Sequence, residues 1–212
     1  MVEFMLINTV IFDMDGVLID AREWHFQALN DALELFGFSI DRYSHEERFN
    51  GLPTKVKLEI LSKEFGLPRS LHHVINTVKQ ERTLRIAAAN CYPRAQHLIL
   101  ISALKRAGIK VGVATNSIRQ TTEAMLGYAG ILSLMDSVVT NQDVKLAKPS
   151  PEIYLLAVER LGGIPAHTLV VEDNANGIAS AKAAGCLVVE VVGPDDVHIE
   201  RLIQYFPKGA LI

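Results

Sequence analysis

Apolar positions along the chain change their period several times, and each change marks an element. The run Leu6–Phe12 (LINTVIF) is short and rich in β-branched residues, which predicts a buried strand. From Ala21 to Gly37 the residues Trp24, Ala28, Leu29, Ala32, Leu33 and Phe36 recur at spacings of three and four. That pattern predicts an amphipathic helix with Gly37 as its C-cap. Thr54–Phe65 and Ser70–Ala89 read as two further helices, parted by Gly66-Leu67-Pro68, and no strand is expected between Asp20 and Tyr92. After Pro93 the pattern alternates. Helices are expected at Pro93–Ala107, Ile118–Tyr128, Pro151–Leu161 and Gly177–Ala184, and strands at Ile109–Ala114, Ser137–Thr140, Thr168–Val171 and Leu187–Val192.

Helices alternating with apolar strands imply an α/β protein whose parallel sheet is covered on both faces. The all-helical stretch interrupts that order, so it reads as an inserted domain. The expected division is a catalytic core of residues 1–19 and 93–212 around an inserted helical domain of residues 20–92.

Composition narrows the class of function. The 212 residues are 49% hydrophobic and 21% charged, which is ordinary globular composition without a disordered tract. The net charge of −3 and the lack of any Lys/Arg-rich run speak against nucleic acid. Cys91 and Cys186 stand far apart, neither in a CxxC, so two thiols in a reducing cytosol are expected rather than a disulfide or zinc site. Met1-Val2-Glu3 opens no basic-then-apolar leader, and no apolar run approaches the ~20 residues that cross a bilayer. A monomeric cytoplasmic protein acting on a small molecule, with no membrane partner, is the expectation.

Open α/β sheets bind ligands outside the carboxyl ends of their strands. Asp13-Met14-Asp15-Gly16 follows the first predicted strand, and Thr115-Asn116 follows the second. Lys148-Pro149 lies in the loop after the third, and Glu172-Asp173 follows the fourth. Each has an ordinary reading alone: a solvated turn, a helix cap, a surface charge, an acidic loop start. Together they place four carboxylates, a hydroxyl, an amide and an ammonium on one edge. Crowded carboxylates repel, and a bound cation relieves that. Oxygen donors without His or Cys favour Mg2+. Asp13 can attack phosphorus and form an acyl phosphate, while Asp15 protonates the leaving oxygen and later deprotonates water. Lys148, Thr115, Asn116 and backbone N–H groups around Met14–Gly16 can bind the equatorial phosphoryl oxygens. Asp173 with Glu172 completes the metal site.

The stretches VIFDMDGVLID (Val10–Asp20), VATNS (Val113–Ser117), AKPSPEIY (Ala147–Tyr154) and VVEDNANGIASAKAAG (Val170–Gly185) resemble the four motifs of the haloacid dehalogenase superfamily, in the family's order and across nearly the whole chain. They look like its subgroup with a helical cap after the first strand, that of β-phosphoglucomutase and related sugar and polyol phosphatases. The resemblance implies a Rossmann-like, doubly wound parallel sheet with an inserted α-helical cap domain that opens and closes over the site. It implies Asp13 as nucleophile, Asp15 as acid/base, and Thr115, Asn116 and Lys148 as phosphate binders. It implies a Mg2+ site of Asp13, Glu172, Asp173 and the backbone carbonyl of Asp15. Trp24-His25 and the loop Gly51-Leu52-Pro53-Thr54 fall where the family places hinge-side and substrate-facing residues. Where the family often has Ser after the acidic pair, this chain has Asn174, which can still cap the following helix.

The mutases carry an Arg in the cap loop to hold a second phosphate. By spacing that position is Thr54, with Lys55 adjacent and Lys79 further along. Arg is the side chain best suited to bidentate phosphate binding. The expected activity is therefore hydrolysis of a sugar or polyol phosphate through an aspartyl-phosphate intermediate, with Trp24, His25, Thr54 and Lys79 as candidate specificity residues. A β-phosphoglucomutase-like sugar phosphomutase is the alternative. A phosphoacceptor signalling protein is more distant, since receivers lack a large inserted cap. The remaining histidines (His45, His72, His73, His97, His167 and His198) are scattered, and structural or surface roles are expected for them.

Overall fold

The first strand sits at the centre of the sheet because it is apolar on both faces. In the computed structural model, which describes residues 7–49 and 51–211, β1 (Thr9–Phe12) is buried throughout. Leu6, where the strand was expected to begin, lies outside the described residues. β1 pairs in parallel with β2 (Lys110–Ala114) on one side and with β4 (Thr168–Glu172) on the other. β3 (Ser137–Val139) and β5 (Leu187–Glu190) lie outside these, giving the order β3-β2-β1-β4-β5. The chain thus winds outward through β2 and β3, then returns past β1 to add β4 and β5. That reversal is the switch point at which doubly wound sheets open a crevice. The helices between strands are α5 (Ala95–Arg106), α6 (Arg119–Tyr128), α7 (Glu152–Arg160) and α8 (Ala175–Ala183), with a short α9 (Ile199–Leu202) after the last strand. α7 and α8 help form a core cluster of Ile11, Val139, Ile153, Tyr154, Val170 and Ala181.

The chain divides into two compact units, residues 1–20 with 92–212, and residues 21–91. The second is helical among its described residues: α1 (Arg22–Glu34), α2 (Arg42–Ser44) leading into a π-helical turn at His45–Phe49, α3 (Thr54–Phe65) and α4 (His72–Asn90). Its own core joins Leu29, Leu33, Phe49, Leu58, Leu61 and Ile75. α3 begins after Pro53 and ends on Gly66 at φ +73°, a left-handed conformation that glycine adopts without penalty. α1 stops earlier than expected: Leu35 is its C-cap, and Gly37 closes the turn beyond with its N–H on the Glu34 carbonyl. The helical turns at 42–49 have no apolar period to announce them. They are held by Asp41, whose carboxylate accepts the Ser44 N–H at 2.9 Å. No helix among the described residues is long and apolar enough to cross a membrane.

Candidate active site

Strand register brings the motif residues to one edge. Phe12 pairs with Val113 on one side and Val171 on the other, so Asp13 stands level with Ala114 and Glu172 at the carboxyl ends of three adjacent strands. The Asp13 N–H extends the ladder to the Val171 carbonyl at 3.0 Å, and the Thr115 N–H bonds the Val139 carbonyl at 3.0 Å. Past Asp13 the chain doubles back in a tight loop. The Met14 carbonyl accepts the N–H groups of Val17, Leu18 and Ile19, and Gly16 takes φ +91°. The Gly16 N–H is bound to the Ile19 carbonyl at 2.7 Å. In this structure that N–H is engaged within the loop itself.

At the centre is the Lys148 ammonium, almost fully buried. Its Nζ lies 2.6 Å from Asp13 Oδ1, 2.7 Å from Glu172 Oε1, 2.8 Å from Tyr154 Oη and 2.9 Å from the Ala114 carbonyl. Lys148 is held there by its loop. The Lys148-Pro149 peptide is cis, and Asn116 Oδ1 accepts the Lys148 backbone N–H at 3.2 Å. That bond orients Asn116 toward the loop, so in this structure the amide oxygen positions Lys148. The loop is further pinned by Asp143, which accepts from the Thr140 N–H and hydroxyl, Arg119 and Arg160. Thr115 is buried at the end of β2, and its Oγ1 accepts the Ser117 N–H at 3.1 Å.

Glu172 accepts hydrogen bonds on both of its oxygens. Oε1 accepts from Lys148 and from the Tyr154 hydroxyl at 2.8 Å, and Oε2 accepts the backbone N–H groups of Asp173 at 2.9 Å and Asn174 at 3.3 Å. Asn174 caps α8 by accepting the Gly177 N–H at 3.1 Å, as the sequence anticipated. The carboxylate lies so close over this helix start that a Cβ on Gly177 would fall 1.6 Å from Glu172 Oε1. Gly177 is thus required by close approach. Asp15 is half-buried, and its Oδ2 accepts the Ser117 hydroxyl at 2.6 Å. Ser117 and Tyr154 received no role from the sequence, although both fall within the quoted motifs; their signal was position, two residues after Thr115 and six after Lys148.

Electrostatics follow from this crowding. Burial pushes the Asp13 carboxyl well up; Lys148 pulls it down, and Glu172, Asp173 and Asp15 push it further up. Burial also opposes ionisation of Glu172, but Lys148 and Tyr154 outweigh it and hold the carboxyl below its ordinary value. Asp13, Glu172 and Asp173 each offer a carboxylate oxygen, all within 4.8 Å of one another. That is the scale of one coordination sphere, and the all-oxygen donor set suits a hard divalent cation.

The candidate specificity residues belong to the helical unit. Trp24 and His25 lie half-buried on α1, and Thr54 opens α3. Lys79 is buried on α4, with Nζ 3.1 Å from His25 Nδ1. His45 is buried too, its ring edge-on to Phe26 at 4.8 Å between centroids. Other scattered histidines have partners as well: buried His97 contacts the Pro194 carbonyl at 2.9 Å, His72 the Ser62 hydroxyl at 2.7 Å, and His198 the Glu200 carboxylate at 2.9 Å.

Comparison with known proteins yields consistent matches. A family model described as haloacid dehalogenase-like hydrolase matches residues 10–191. The phosphorylated carbohydrates phosphatase of Thermotoga maritima is 32% identical over 178 residues, 84% of this chain and 82% of the relative. The fructose-1-phosphate phosphatase of Escherichia coli is 30% identical over 183 residues, 86% of this chain and 95% of the relative. Among solved structures, CbbY of Rhodobacter sphaeroides in complex with phosphate superposes with a TM-score of 0.78 at 28% identity, covering 88% of this chain and 87% of that one.

Proposed function

The chain belongs to the haloacid dehalogenase-like hydrolase family, and from that premise we propose that it is a Mg2+-dependent phosphatase of sugar or polyol monophosphates that works through a phosphorylated Asp13. It is a phosphoric monoester hydrolase, as its phosphatase relatives are named. The observation that carries the mechanistic reading is the buried contact of Asp13 Oδ1 with Lys148 Nζ at 2.6 Å, inside a cluster of carboxylates. This pairs a carboxylate nucleophile with a cation able to receive phosphoryl oxygens.

In this reading Asp13 attacks phosphorus through Oδ1. Its burial strips solvent from the nucleophile, and the strand end fixes its direction. Lys148 turns from Asp13 to an equatorial phosphoryl oxygen, and Thr115 adds its hydroxyl. Asp15, steered by Ser117, gives a proton to the leaving oxygen and later takes one from the attacking water. Asp13, Glu172, Asp173 and the Asp15 carbonyl would hold Mg2+, which when bound offsets charge between the phosphoryl group and the carboxylates. The helical unit, with Trp24, His25, Thr54 and Lys79, is proposed to select the substrate. The domain division at residues 20–92 enters this proposal as the boundary between chemistry and selection.

Purified protein should release inorganic phosphate from a panel of sugar and polyol monophosphates with Mg2+, and lose that activity in excess chelator. The mutase reading keeps a place because a putative β-phosphoglucomutase of Thermotoga maritima superposes with a TM-score of 0.65 at 28% identity. β-Glucose 1-phosphate, with and without glucose 1,6-bisphosphate, separates the two. The phosphatase releases free phosphate without the bisphosphate; rapid glucose 6-phosphate formation with little free phosphate would favour the mutase.

A further inference from the structure

Tyr154 lies under the reacting groups without facing solvent. It is fully buried on the first turn of α7, and its hydroxyl bonds both Lys148 and Glu172. Four oxygens surround Lys148 Nζ at 2.6 to 2.9 Å. An ammonium has only three N–H groups. Tyr154 Oη, Lys148 Nζ and Glu172 Oε1 form a triangle with sides of 2.8, 2.8 and 2.7 Å. Two acceptors at such corners subtend roughly 60° at Nζ, too narrow for two diverging N–H bonds to point straight at both. One N–H is therefore shared along the edge between Oη and Oε1. The other two reach the Ala114 carbonyl and Asp13 Oδ1.

We propose that Tyr154 is a positioning residue whose hydroxyl aims the Lys148 ammonium at the transferred phosphoryl group; this rests on the phosphatase reading above. A nucleophile must present its oxygen to phosphorus, so the N–H now on Asp13 is the one that passes to a phosphoryl oxygen. The aim of that N–H is set by where the shared one is anchored. Tyr154 anchors it from one side and, through its own O–H, keeps Glu172 Oε1 satisfied while Lys148 turns. Without the hydroxyl, Glu172 loses a donor and draws Lys148 into a full pair, rotating the remaining N–H groups off line.

The test compares wild type, Tyr154→Phe, Lys148→Met and the double variant. Inorganic phosphate binding with Mg2+ is read by calorimetry, and kcat and KM are read on one monophosphate. Tyr154→Phe should weaken phosphate binding and raise KM, each about fivefold, as expected for one hydrogen bond, while kcat changes less. In the Lys148→Met background the same substitution should have no further effect on phosphate binding, because the ammonium it aims is gone. Unchanged phosphate affinity in Tyr154→Phe overturns the inference, and so does an equal loss in both backgrounds, which would mean that Tyr154 only packs. Wild-type protein that neither hydrolyses monophosphates nor binds phosphate overturns the phosphatase reading and the inference with it.

Discussion

Two regions of this molecule bury polar groups, and they do it differently. At the sheet edge Asp13, Lys148, Tyr154 and Glu172 satisfy one another at 2.6 to 2.8 Å, and every one falls in a short motif. In the helical unit Lys57, Lys79, Thr83 and His45 are equally buried, but they are spread over three helical segments and share no motif. Strand ends concentrate chemistry because parallel strands deliver consecutive residues to one line. Helices scatter it, since a given face recurs only every three or four residues. On α4 the stripe Ile75, Lys79, Thr83 and Ala87 is buried along its length. Two polar residues thus occupy a stripe where periodicity anticipates apolar ones. In the core unit, then, buried charge is gathered at the strand ends, where the reaction is proposed to occur. In the helical unit it is organised around helix packing, with selection proposed as its use.

Gly177→Ala should have the largest effect that sharpens this contrast. The new Cβ must displace the Glu172 carboxylate, since it would fall 1.6 Å from Oε1. Disturbing a residue that orients metal ligands typically costs ~10–100-fold in affinity or activity. Mg2+ binding measured by calorimetry should weaken on that scale. Near-native Mg2+ affinity would show that Glu172 has no part in the site.

Substitutions in the helical unit should act on choice of substrate instead. Thr54→Ala or Lys79→Met should shift kcat/KM between two sugar phosphates by about tenfold while changing turnover of a small activated aryl phosphate much less. Equal loss on all substrates would mean that these side chains only support the fold.

Acidification should separate the units by a smaller margin. Burial, with Lys57 and Arg42 nearby, pushes the His45 imidazole down to about 4. The folded unit keeps it neutral while the unfolded chain binds a proton near its ordinary value of about 6.5, so its contribution is present at neutral pH and drains away as pH falls from about 6.5 to about 4. His97 in the core unit is lowered too, by burial, but its bond to the Pro194 carbonyl opposes the shift. Burial pushes the Asp143 carboxyl up, but Thr140, Arg160 and Arg119 outweigh it and hold the group at about 2. That contribution is present above roughly pH 4 and is lost only as pH falls toward about 2. Hydrogen exchange should therefore show residues 21–91 losing protection first between pH 6.5 and 4. Simultaneous loss in both units would contradict this.

The α/β architecture was legible because strands buried on both faces leave unbroken apolar runs, as in Val10–Phe12 and Thr168–Val171. Asp13, Glu172 and Asp173 were singled out because they stand at or directly after a strand end, and Lys148 because it lies in the loop that follows β3. Tyr154 and Ser117 were not read, since a residue that acts by holding another reveals itself only through distances. Asn116 was read as a phosphate ligand; the structure adds that its Oδ1 holds the Lys148 backbone, a contact that spacing alone does not reveal. The turns at 42–49 were missed because capping by Asp41, not an apolar period, holds them.

The central claim is that Asp13 carries the phosphoryl group. Wild-type protein turning over a monophosphate with Mg2+ should be quenched rapidly in acid and digested, and the peptide containing Asp13 examined by mass spectrometry beside Asp13→Asn. The account predicts a phosphoryl group on Asp13 in the wild type. It predicts none on that peptide in Asp13→Asn, whose hydrolysis falls by at least about a thousandfold while the fold survives. Near-native hydrolysis by Asp13→Asn, or a phosphoryl group trapped on a different residue, would contradict it.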